Sequence, residues 1–329
     1  MIIENTKDLI EYLEFCKTDN LKIGTMSGSF DCLHEGHKYS LIFAKEKVDR
    51  LIVLLNSDES ISIYKGKHRP IQKINRRLEE LENIYPEIAY FVFNELVPNE
   101  ILDLIQPDSH FISKDWEANP VEKHIILKHG GEVITHPHLN DISTTKYLQD
   151  TNLYTESKKA IFFDRDGTIN EDTGYLNNLI DIEINQDNLE GLMEISKLDF
   201  LNIIVTNQSG VSKGLLDIDT LNVINDKIIE IIEKHKGRID KVYYDTSNSD
   251  NPSQFRKPNN GMILKACNEF DISLKDSWMI GDKDSDIKLG KMCNMKTIYI
   301  ENKNYVYDSE IKPDFYVKNL LEASKIIKS

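Results

Sequence analysis

Residues 160–168 indicate the fold of this chain and read Ala160-Ile161-Phe162-Phe163-Asp164-Arg165-Asp166-Gly167-Thr168. The apolar run 160–163 predicts a short buried strand, and two aspartates follow directly at its end. Buried carboxylates are costly unless they are paired with a cation or bind a metal. The stretch therefore predicts a strand with a charged site at its carboxyl end, although D-x-D-G-T alone could also form an ordinary acidic turn.

Short apolar runs alternate with helical patterns on both sides of a polar, aperiodic break at residues 149–159. Strands are predicted at 21–25, 51–55, 90–93, 161–163, 201–205, 241–244, 278–280 and 297–300, and helices at 39–47, 76–84, 220–235 and 261–269. Such alternation is typical of parallel sheets covered by helices, which bind ligands at the carboxyl ends of their strands. We therefore predict two Rossmann-like α/β domains, 1–150 and 159–329, joined by a linker at 151–158. The helical pattern at the end of the chain is expected to pack on the second domain.

The composition excludes several functional classes. The 329 residues suit about two domains at about 150 residues each. A net charge of −15 argues against a general nucleic-acid binder, but it leaves room for a local pocket that holds a small phosphorylated substrate. The chain has no long apolar stretch and no signal-peptide pattern, so we expect no membrane partner and a cytoplasmic location. The four cysteines are scattered, which favours reduced, mostly packed thiols.

A loop suited to phosphate binding follows the first predicted core strand. It runs from Ser27 to His37 and contains Gly28-Ser29-Phe30-Asp31 and then His34 and His37. Gly28 allows the backbone to approach a ligand closely. The two histidines lie three residues apart at the start of a helix, where they can donate hydrogen bonds to a triphosphate and stabilise charge that builds up on phosphorus.

This His-x-Gly-His pattern resembles the cytidylyltransferase-like family of nucleotidyltransferases. Residues 65–70 (Lys-Gly-Lys-His-Arg-Pro) are similar to a segment of the adenylyltransferases that make ADP-heptose, and residues 142–146 (Ile-Ser-Thr-Thr-Lys) to a segment of glycerol-phosphate cytidylyltransferases. The resemblance implies that His34 and His37 are catalytic. It assigns nucleotide or phosphate binding to Gly28, Ser29, Phe30, Asp31, Lys65, Arg69, Lys114, Ser143, Thr144 and Thr145. Since relatives of this kind commonly dimerise, it also implies a homodimer through the first domain.

Polar residues follow the strands of the second domain in a set order. Thr206 and Asn207 end one strand, Lys257 follows Arg256 in a loop, and Asp282 ends another strand. Carboxylates at Asp164 and Asp282 suit Mg²⁺, while a hydroxyl, an amide and an ammonium group suit a phosphate. The segments between these motifs are short, so no large cap domain is inserted.

This order resembles the haloacid dehalogenase superfamily, and most of all its histidinol-phosphate and heptose-bisphosphate phosphatases. The resemblance implies that Asp164 is the nucleophile and Asp166 the general acid and base, with Lys257 also in the catalytic set. Thr206, Asn207, Lys257 and Arg256 would bind phosphate or substrate, and Asp164, Asp166 and Asp282 would hold Mg²⁺. Heptose-bisphosphate relatives carry a zinc loop just before Arg-Lys-Pro, but residues 244–254 contain no Cys or His, so we expect no zinc.

Together the two halves predict a bifunctional enzyme that makes a nucleotide-activated sugar or polyol for a surface polysaccharide. The first half would transfer a nucleotidyl group from a nucleoside triphosphate to a sugar or polyol phosphate, and the second would be a Mg²⁺-dependent phosphatase. Residues 143–146 favour CTP narrowly over ATP. An alternative is an ADP-heptose-type adenylyltransferase fused to a heptose-bisphosphate phosphatase. Another is that one domain is inactive and serves as a binding module.

Overall fold

The computed structural model describes residues 1–114, 122–136, 157–302 and 305–329. The chain divides into two compact units, Met1–Glu156 and Ser157–Ser329. The boundary falls within the predicted linker 151–158, most of which lies outside the described residues. None of the described helices is long and apolar enough to cross a membrane.

The first unit alternates strands and helices along its described residues. Its elements are β1 Ile2–Ile3, α1 Thr6–Thr18, β2 Ile23–Gly28, α2 Glu35–Lys45, β3 Arg50–Asn56, α3 Asp58–Lys65, α4 Ile74–Ile84, β4 Ala89–Phe93, α5 Asn99–Ile105, β5 Ser109–Ser113, α6 Lys123–Lys128 and β6 Glu132–His136. The strand β2 begins two residues later than predicted and extends to Gly28. Met26, Ser27 and Gly28 continue the strand because they pair in parallel register with Val53, Leu54 and Leu55 of β3, which residue type alone does not reveal.

The strands of the first unit form one parallel sheet in the order β1-β4-β3-β2-β5-β6. Alternate residues of the apolar run in β3 pack on opposite faces. Ile52 and Leu54 join a core formed with α1 and α5, while Leu51 and Val53 join one formed with α2 and α4. The direction of winding reverses between β2 and β5, so the crevice at their carboxyl ends is where a ligand is expected in such a sheet.

The second unit repeats this architecture. Its elements are β7 Ala160–Phe163, α7 Gln186–Ile195, β8 Leu201–Asn207, α8 Ile218–Lys234, β9 Lys241–Asp245, α9 Gly261–Phe270, β10 Trp278–Gly281, α10 Asp284–Met292, β11 Lys296–Ile300, β12 Phe315–Val317 and α11 Leu320–Lys328, with short 3₁₀ turns at Leu179–Asp181 and Leu274–Asp276. The strand order is β12-β11-β10-β7-β8-β9, and all pairs are parallel. The two parallel α/β sheets predicted from the sequence are therefore confirmed.

Winding in the second sheet reverses between β7 and β10. Asp164 follows β7 and Asp282 follows β10, so this topology brings together two aspartates that lie far apart in the chain. The carboxyl ends of these two strands form the crevice in which sheets of this type bind ligands. The sheet thus places the aspartates predicted to hold a metal at the position where a ligand is expected.

The helix α11 packs against α7, which confirms the predicted packing of the chain end on the second unit. Gly191 of α7 makes the close approach possible. A Cβ atom built on Gly191 would lie 2.2 Å from the backbone carbon of Leu320 and 2.5 Å from its oxygen. Backbone atoms at a helix start cannot move aside cheaply, so this position accepts no side chain without separating the helices.

We expect Gly191→Ala to destabilise the second unit by about 1–3 kcal/mol, because the added methyl group overpacks the contact between α7 and α11. The sign of this change in stability is informative, because a Gly→Ala substitution inside a helix otherwise stabilises a protein by about 1 kcal/mol. Thermal unfolding of the full chain measures the effect, with Gln186→Ala, an exposed change in the same helix, as the control. A Gly191→Ala protein that melts at or above the wild-type temperature would contradict the packing.

Candidate active sites

Three aspartates and one lysine meet at the carboxyl ends of β7 and β10. One carboxylate oxygen each from Asp164, Asp282 and Asp286 lies within 4.8 Å of the others, and all three residues are buried. The Nζ atom of Lys257 lies 2.7 Å from Oδ1 of Asp164 and 2.7 Å from Oδ1 of Asp286. Asp286 is not among the residues that the sequence predicted to hold the metal. The structure brings it into the cluster, and its Oδ2 also accepts from the backbone N–H of Lys283 at the start of α10.

The cluster has more negative than positive charge in a buried place. Burial, followed by the charges of Asp164 and Asp286, raises the pKa of Asp282 to about 8. Burial also raises the pKa of Asp286 to about 6, although Lys257 opposes the shift. The Oδ1 atom of Asp282 is buried and has no hydrogen-bond partner among the described residues. An oxygen-only donor set with an unpartnered buried carboxylate oxygen fits a hard divalent cation such as Mg²⁺.

Two glycines give these carboxylates room. Gly167 has φ +86°, and a Cβ atom on it would lie 2.2 Å from Oδ2 of Asp282. A Cβ atom on Gly281 would lie 2.3 Å from Cβ of Asp286. The glycine of the D-x-D-G-T motif is therefore required both by the left-handed backbone and by the packing of a predicted metal ligand.

The carboxylate of Asp166 points to a separate set of hydrogen-bond donors. It accepts two bonds from Arg165, at 3.0 and 2.9 Å, one from Asn170 at 3.0 Å and one from Gln208 at 2.8 Å. Burial alone would raise the pKa of Asp166, but Arg165 and the other donors hold it below its ordinary value. The buried Arg165 also donates to Asn225 and Gln208. Sequence reasoning did not single out this network, because Arg165, Gln208 and Asn225 are far apart along the chain.

Asn207 positions Lys257 through its backbone. Its side-chain Oδ1 accepts from the N–H of Lys257 at 2.9 Å, and its Nδ2 donates to the Lys257 carbonyl at 3.1 Å. The side chain predicted to bind phosphate thus also holds the lysine segment. Thr206 is buried at the end of β8, where its hydroxyl accepts a 2.8 Å bond from Gln208.

A cavity of about 620 Å³ opens in front of these groups. Asp164, Asp166, Thr206 and Lys257 lie among its lining residues, together with Arg256. Further lining residues come from three loops and include Asp172, Tyr175, Ser249, Pro252 and Lys283. The predicted nucleophile, phosphate-binding and substrate residues of the second half therefore share one cavity, and Asp164 is the member of the carboxylate cluster that lines it.

The predicted histidine pair of the first unit lies at the start of α2. His34 is the N-cap residue, and its ring stacks on that of His37 with 3.8 Å between centroids and 14° between planes. Burial, followed by the charges of His34 and Lys65, holds the pKa of His37 well below its ordinary value. The lowered pKa favours the neutral ring of His37, which can donate one hydrogen bond. Lys65 reaches the same loop and donates to the hydroxyl of Ser29 at 2.7 Å.

Three residues predicted to bind nucleotide or phosphate are buried beneath the loop. Asp31 is fully buried and accepts a 2.7 Å bond from Nε of Arg69, and bonds from the backbone N–H groups of Ile71 and Gln72 at 3.1 and 2.9 Å. Arg69 is itself buried by this ion pair. Phe30 lies in the apolar core. The residue 66–72 segment folds under the loop, and these side chains face the interior.

A fully buried arginine, which the sequence analysis did not single out, donates hydrogen bonds to the backbone of the loop that contains Ser29. Arg77 of α4 donates to the carbonyls of Ser29 and Asn56 at 2.7 and 2.9 Å, and to the carboxylate of Asp58 at 2.8 Å. Its signal in the sequence is a charged residue on the apolar side of an amphipathic helix, beside Leu78 and Leu81. Such a residue points to buried polar partners but does not tell which ones.

The remaining predictions for this unit concern residues at or beyond its described limits. Lys114 is exposed directly after β5. Ser143, Thr144 and Thr145 lie outside the described residues.

Comparisons with known proteins agree with the two sites. A family model described as Cytidylyltransferase-like matches residues 25–152, and one described as HAD-hydrolase-like matches residues 254–323. The chain is 35% identical over 150 residues to the D-glycero-alpha-D-manno-heptose-1,7-bisphosphate 7-phosphatase of Burkholderia mallei, covering 42% of this chain and 77% of that protein. The chain belongs to the haloacid dehalogenase phosphatases and carries a cytidylyltransferase-like first half.

Two further relatives are similar to parts of the chain. The D-glycero-beta-D-manno-heptose-1,7-bisphosphate 7-phosphatase of Pasteurella multocida is 29% identical over 179 residues, which are 52% of this chain and 97% of that protein. The bifunctional protein HldE of Marinomonas sp. is 34% identical over 148 residues, which are 45% of this chain and 31% of that protein. The comparisons therefore support a nucleotidyltransferase-like first half and a haloacid dehalogenase second half in one chain.

Within the haloacid dehalogenase half, we expect Gly167→Ala to lower the efficiency of Mg²⁺-dependent p-nitrophenyl phosphate hydrolysis at least about 100-fold. The added methyl group would displace the Asp282 carboxylate and so weaken cation binding. The measurement is kcat/KM as a function of Mg²⁺ concentration. Gly214→Ala is the matched control, because Gly214 has φ +70° but no atom within 4 Å of an added Cβ. Equal losses in both variants would attribute the effect to backbone strain and contradict the packing explanation.

Proposed function

We propose that this chain is a bifunctional enzyme of nucleotide-sugar biosynthesis. Its second unit removes a phosphoryl group from a sugar or polyol phosphate, and its first unit transfers a nucleotidyl group from a nucleoside triphosphate to a sugar or polyol phosphate. The observation that carries the proposal is the Lys257 ammonium group, held between Asp164 and Asp286 at the base of an open cavity. Such a group compensates a carboxylate nucleophile and attracts a phosphate.

In the phosphatase reaction, a carboxylate oxygen of Asp164 attacks phosphorus, and the bond from phosphorus to the sugar oxygen breaks. Lys257 and the hydroxyl of Thr206 bind the phosphoryl oxygens. Asp166 gives a proton to the leaving oxygen. Water then attacks the phosphorus of the aspartyl-phosphate and gives a proton back to Asp166, while the bond from phosphorus to the Asp164 oxygen breaks and phosphate leaves. The donors around Asp166 favour its ionised form, so we expect substrate binding to rearrange them for the first step. Mg²⁺ held by Asp164, Asp282 and the Asp166 carbonyl would screen the negative charges, with Asp286 as support.

In the nucleotidyl transfer, an oxygen of the sugar phosphate attacks the α-phosphorus of the nucleoside triphosphate and pyrophosphate leaves. His34 and His37 lie at the start of the 11-residue helix α2, where N–H donors and the helix dipole favour negative charge. Their hydrogen bonds stabilise the charge that develops on the phosphate oxygens. We assign Lys65 and Gly28 to phosphate contact, and Ser143, Thr144 and Thr145 to the nucleotide phosphates by resemblance to the family.

Heptose is the sugar that the comparisons support best. The relatives that match the chain include phosphatases named for heptose 1,7-bisphosphate. A phosphatase that leaves a sugar 1-phosphate would supply the acceptor that a nucleotidyltransferase activates, so the two units would act in sequence. Both units hold their chemistry-bearing described residues close together, which supports two active sites over one active site and one binding module.

CTP and ATP are both candidates for the nucleotide substrate, and a different sequence segment favours each of them. The segment 142–146 resembles cytidylyltransferases and favours CTP, whereas the segment 65–70 resembles ADP-heptose adenylyltransferases and favours ATP. Pyrophosphate release tests the choice, using each of the four nucleoside triphosphates with Mg²⁺ and a panel of sugar and polyol phosphates that includes heptose 1-phosphate. Turnover of CTP supports the cytidylyl assignment, and turnover of ATP alone with heptose 1-phosphate supports the adenylyl one. No pyrophosphate release with any pair would refute the nucleotidyltransferase assignment.

We expect a substitution in one site to abolish the activity of that site and to leave the activity of the other site intact. Asp164→Asn should lower phosphatase kcat by about 1,000-fold or more because it removes the nucleophile, and should leave nucleotidyl transfer within about twofold. His37→Ala should lower nucleotidyl transfer at least about 100-fold and spare the phosphatase. Phosphate release and pyrophosphate release, measured separately on both variants, check this. Loss of both activities in either variant would contradict independent sites.

A further inference from the structure

The loop of residues 246–255 forms one wall of the phosphatase cavity. It connects β9 to the segment that carries Lys257, and Ser249, Pro252 and the adjoining Arg256 line the cavity. Residues 244–254 contain no Cys or His, so the ordinary thiolate and imidazole ligands of a structural zinc are missing here. Other interactions must therefore fix the conformation of this loop.

The carboxylate of Asp245 accepts hydrogen bonds from both ends of this loop. It is the last residue of β9 and is buried, with 5% of its surface exposed. Its carboxylate accepts from the hydroxyl of Ser247 at 2.6 Å, from the backbone N–H of Ser247 at 3.1 Å and from the hydroxyl of Ser253 at 2.7 Å. Hydrogen bonds to an ionised acceptor are stronger than neutral ones, so one carboxylate ties both ends of the loop.

Hydrogen bonds of the two serines connect Asp245 to Arg256. The hydroxyl of Ser247 accepts from the backbone N–H of Ser253 at 3.0 Å, and the carbonyl of Ser247 accepts from Nη1 of Arg256 at 2.9 Å. The hydroxyl of Ser253 accepts from the N–H of Phe255 at 3.0 Å. The position of the Arg256 guanidinium at the cavity wall therefore depends on a chain of contacts that begins at Asp245.

We propose that Asp245 is a positioning residue for substrate recognition in the phosphatase unit. It fixes the loop 246–255 without a metal and thereby holds Arg256 where it meets the part of the substrate beyond the transferred phosphoryl group. The proposal rests on the phosphatase function proposed above. Asp245 lies at the end of β9, which is separated from β10 by two strands, β8 and β7, and it is not part of the cluster of Asp164, Asp282 and Asp286. Its effect therefore concerns binding of the distal group more than the chemical step.

The test compares two substrates on the full chain with Mg²⁺. Heptose 1,7-bisphosphate carries a distal phosphoryl group, and p-nitrophenyl phosphate carries none. We expect Asp245→Asn to raise KM for the bisphosphate about tenfold more than KM for p-nitrophenyl phosphate, since it weakens hydrogen bonds made to a charged acceptor. In an Arg256→Ala background the same change should add less than about twofold, because the residue through which it acts is gone.

Asp250→Asn is the matched control, because Asp250 is an exposed aspartate in the same loop. It should leave both KM values unchanged. Equal losses of Asp245→Asn on both substrates, no loss on either, or the full loss in the Arg256→Ala background would each overturn the proposal. So would a wild-type enzyme that binds the bisphosphate no better than p-nitrophenyl phosphate. Failure of the phosphatase function itself would be seen separately, as a wild-type chain that hydrolyses neither substrate.

Discussion

The placement of Lys257 between two buried carboxylates is the interaction on which the second unit depends. Without this cation, Asp164 and Asp286 would leave uncompensated charge in a buried place, at a cost of several kcal/mol. The surroundings preserve the arrangement, since Asn207 holds the lysine backbone and Gly167 leaves space for Asp282. The negative charge that remains prepares the site for a divalent cation, and the ammonium group prepares it for a phosphate.

In the first unit, other buried charged residues support the loop that carries the candidate site. Its loop must present donors to phosphate groups while its own backbone is held from below. Arg77 and the ion pair of Asp31 with Arg69 provide this support from inside the unit, and they leave His34 and His37 at the helix start. In both units, buried charged side chains hold the loop that carries the chemistry, as expected for preorganised sites.

Under the proposed function, the two units would act in consecutive steps on one small molecule. Both candidate sites lie where the winding of a parallel sheet reverses, and both gather cationic or hydrogen-bond donors for phosphate oxygens. A phosphatase wall ordered by Asp245 rather than by a metal would free substrate recognition from zinc supply and leave catalysis dependent on Mg²⁺. Specificity and chemistry would then reside in separate networks of the same cavity, one around Arg256 and the other around Lys257.

The sequence by itself determined the two α/β units, the strand-end motifs and the grouping of Asp164, Thr206, Lys257 and Asp282. These follow from apolar runs and from the rule that parallel strands share one carboxyl edge. Only the tertiary structure decided which polar residues are used inside the protein, such as Asp31 beneath its loop. A short motif specifies local conformation and residue type, but a buried polar group is satisfied by whichever distant segment folds against it. That choice depends on packing and cannot be read from spacing along the chain.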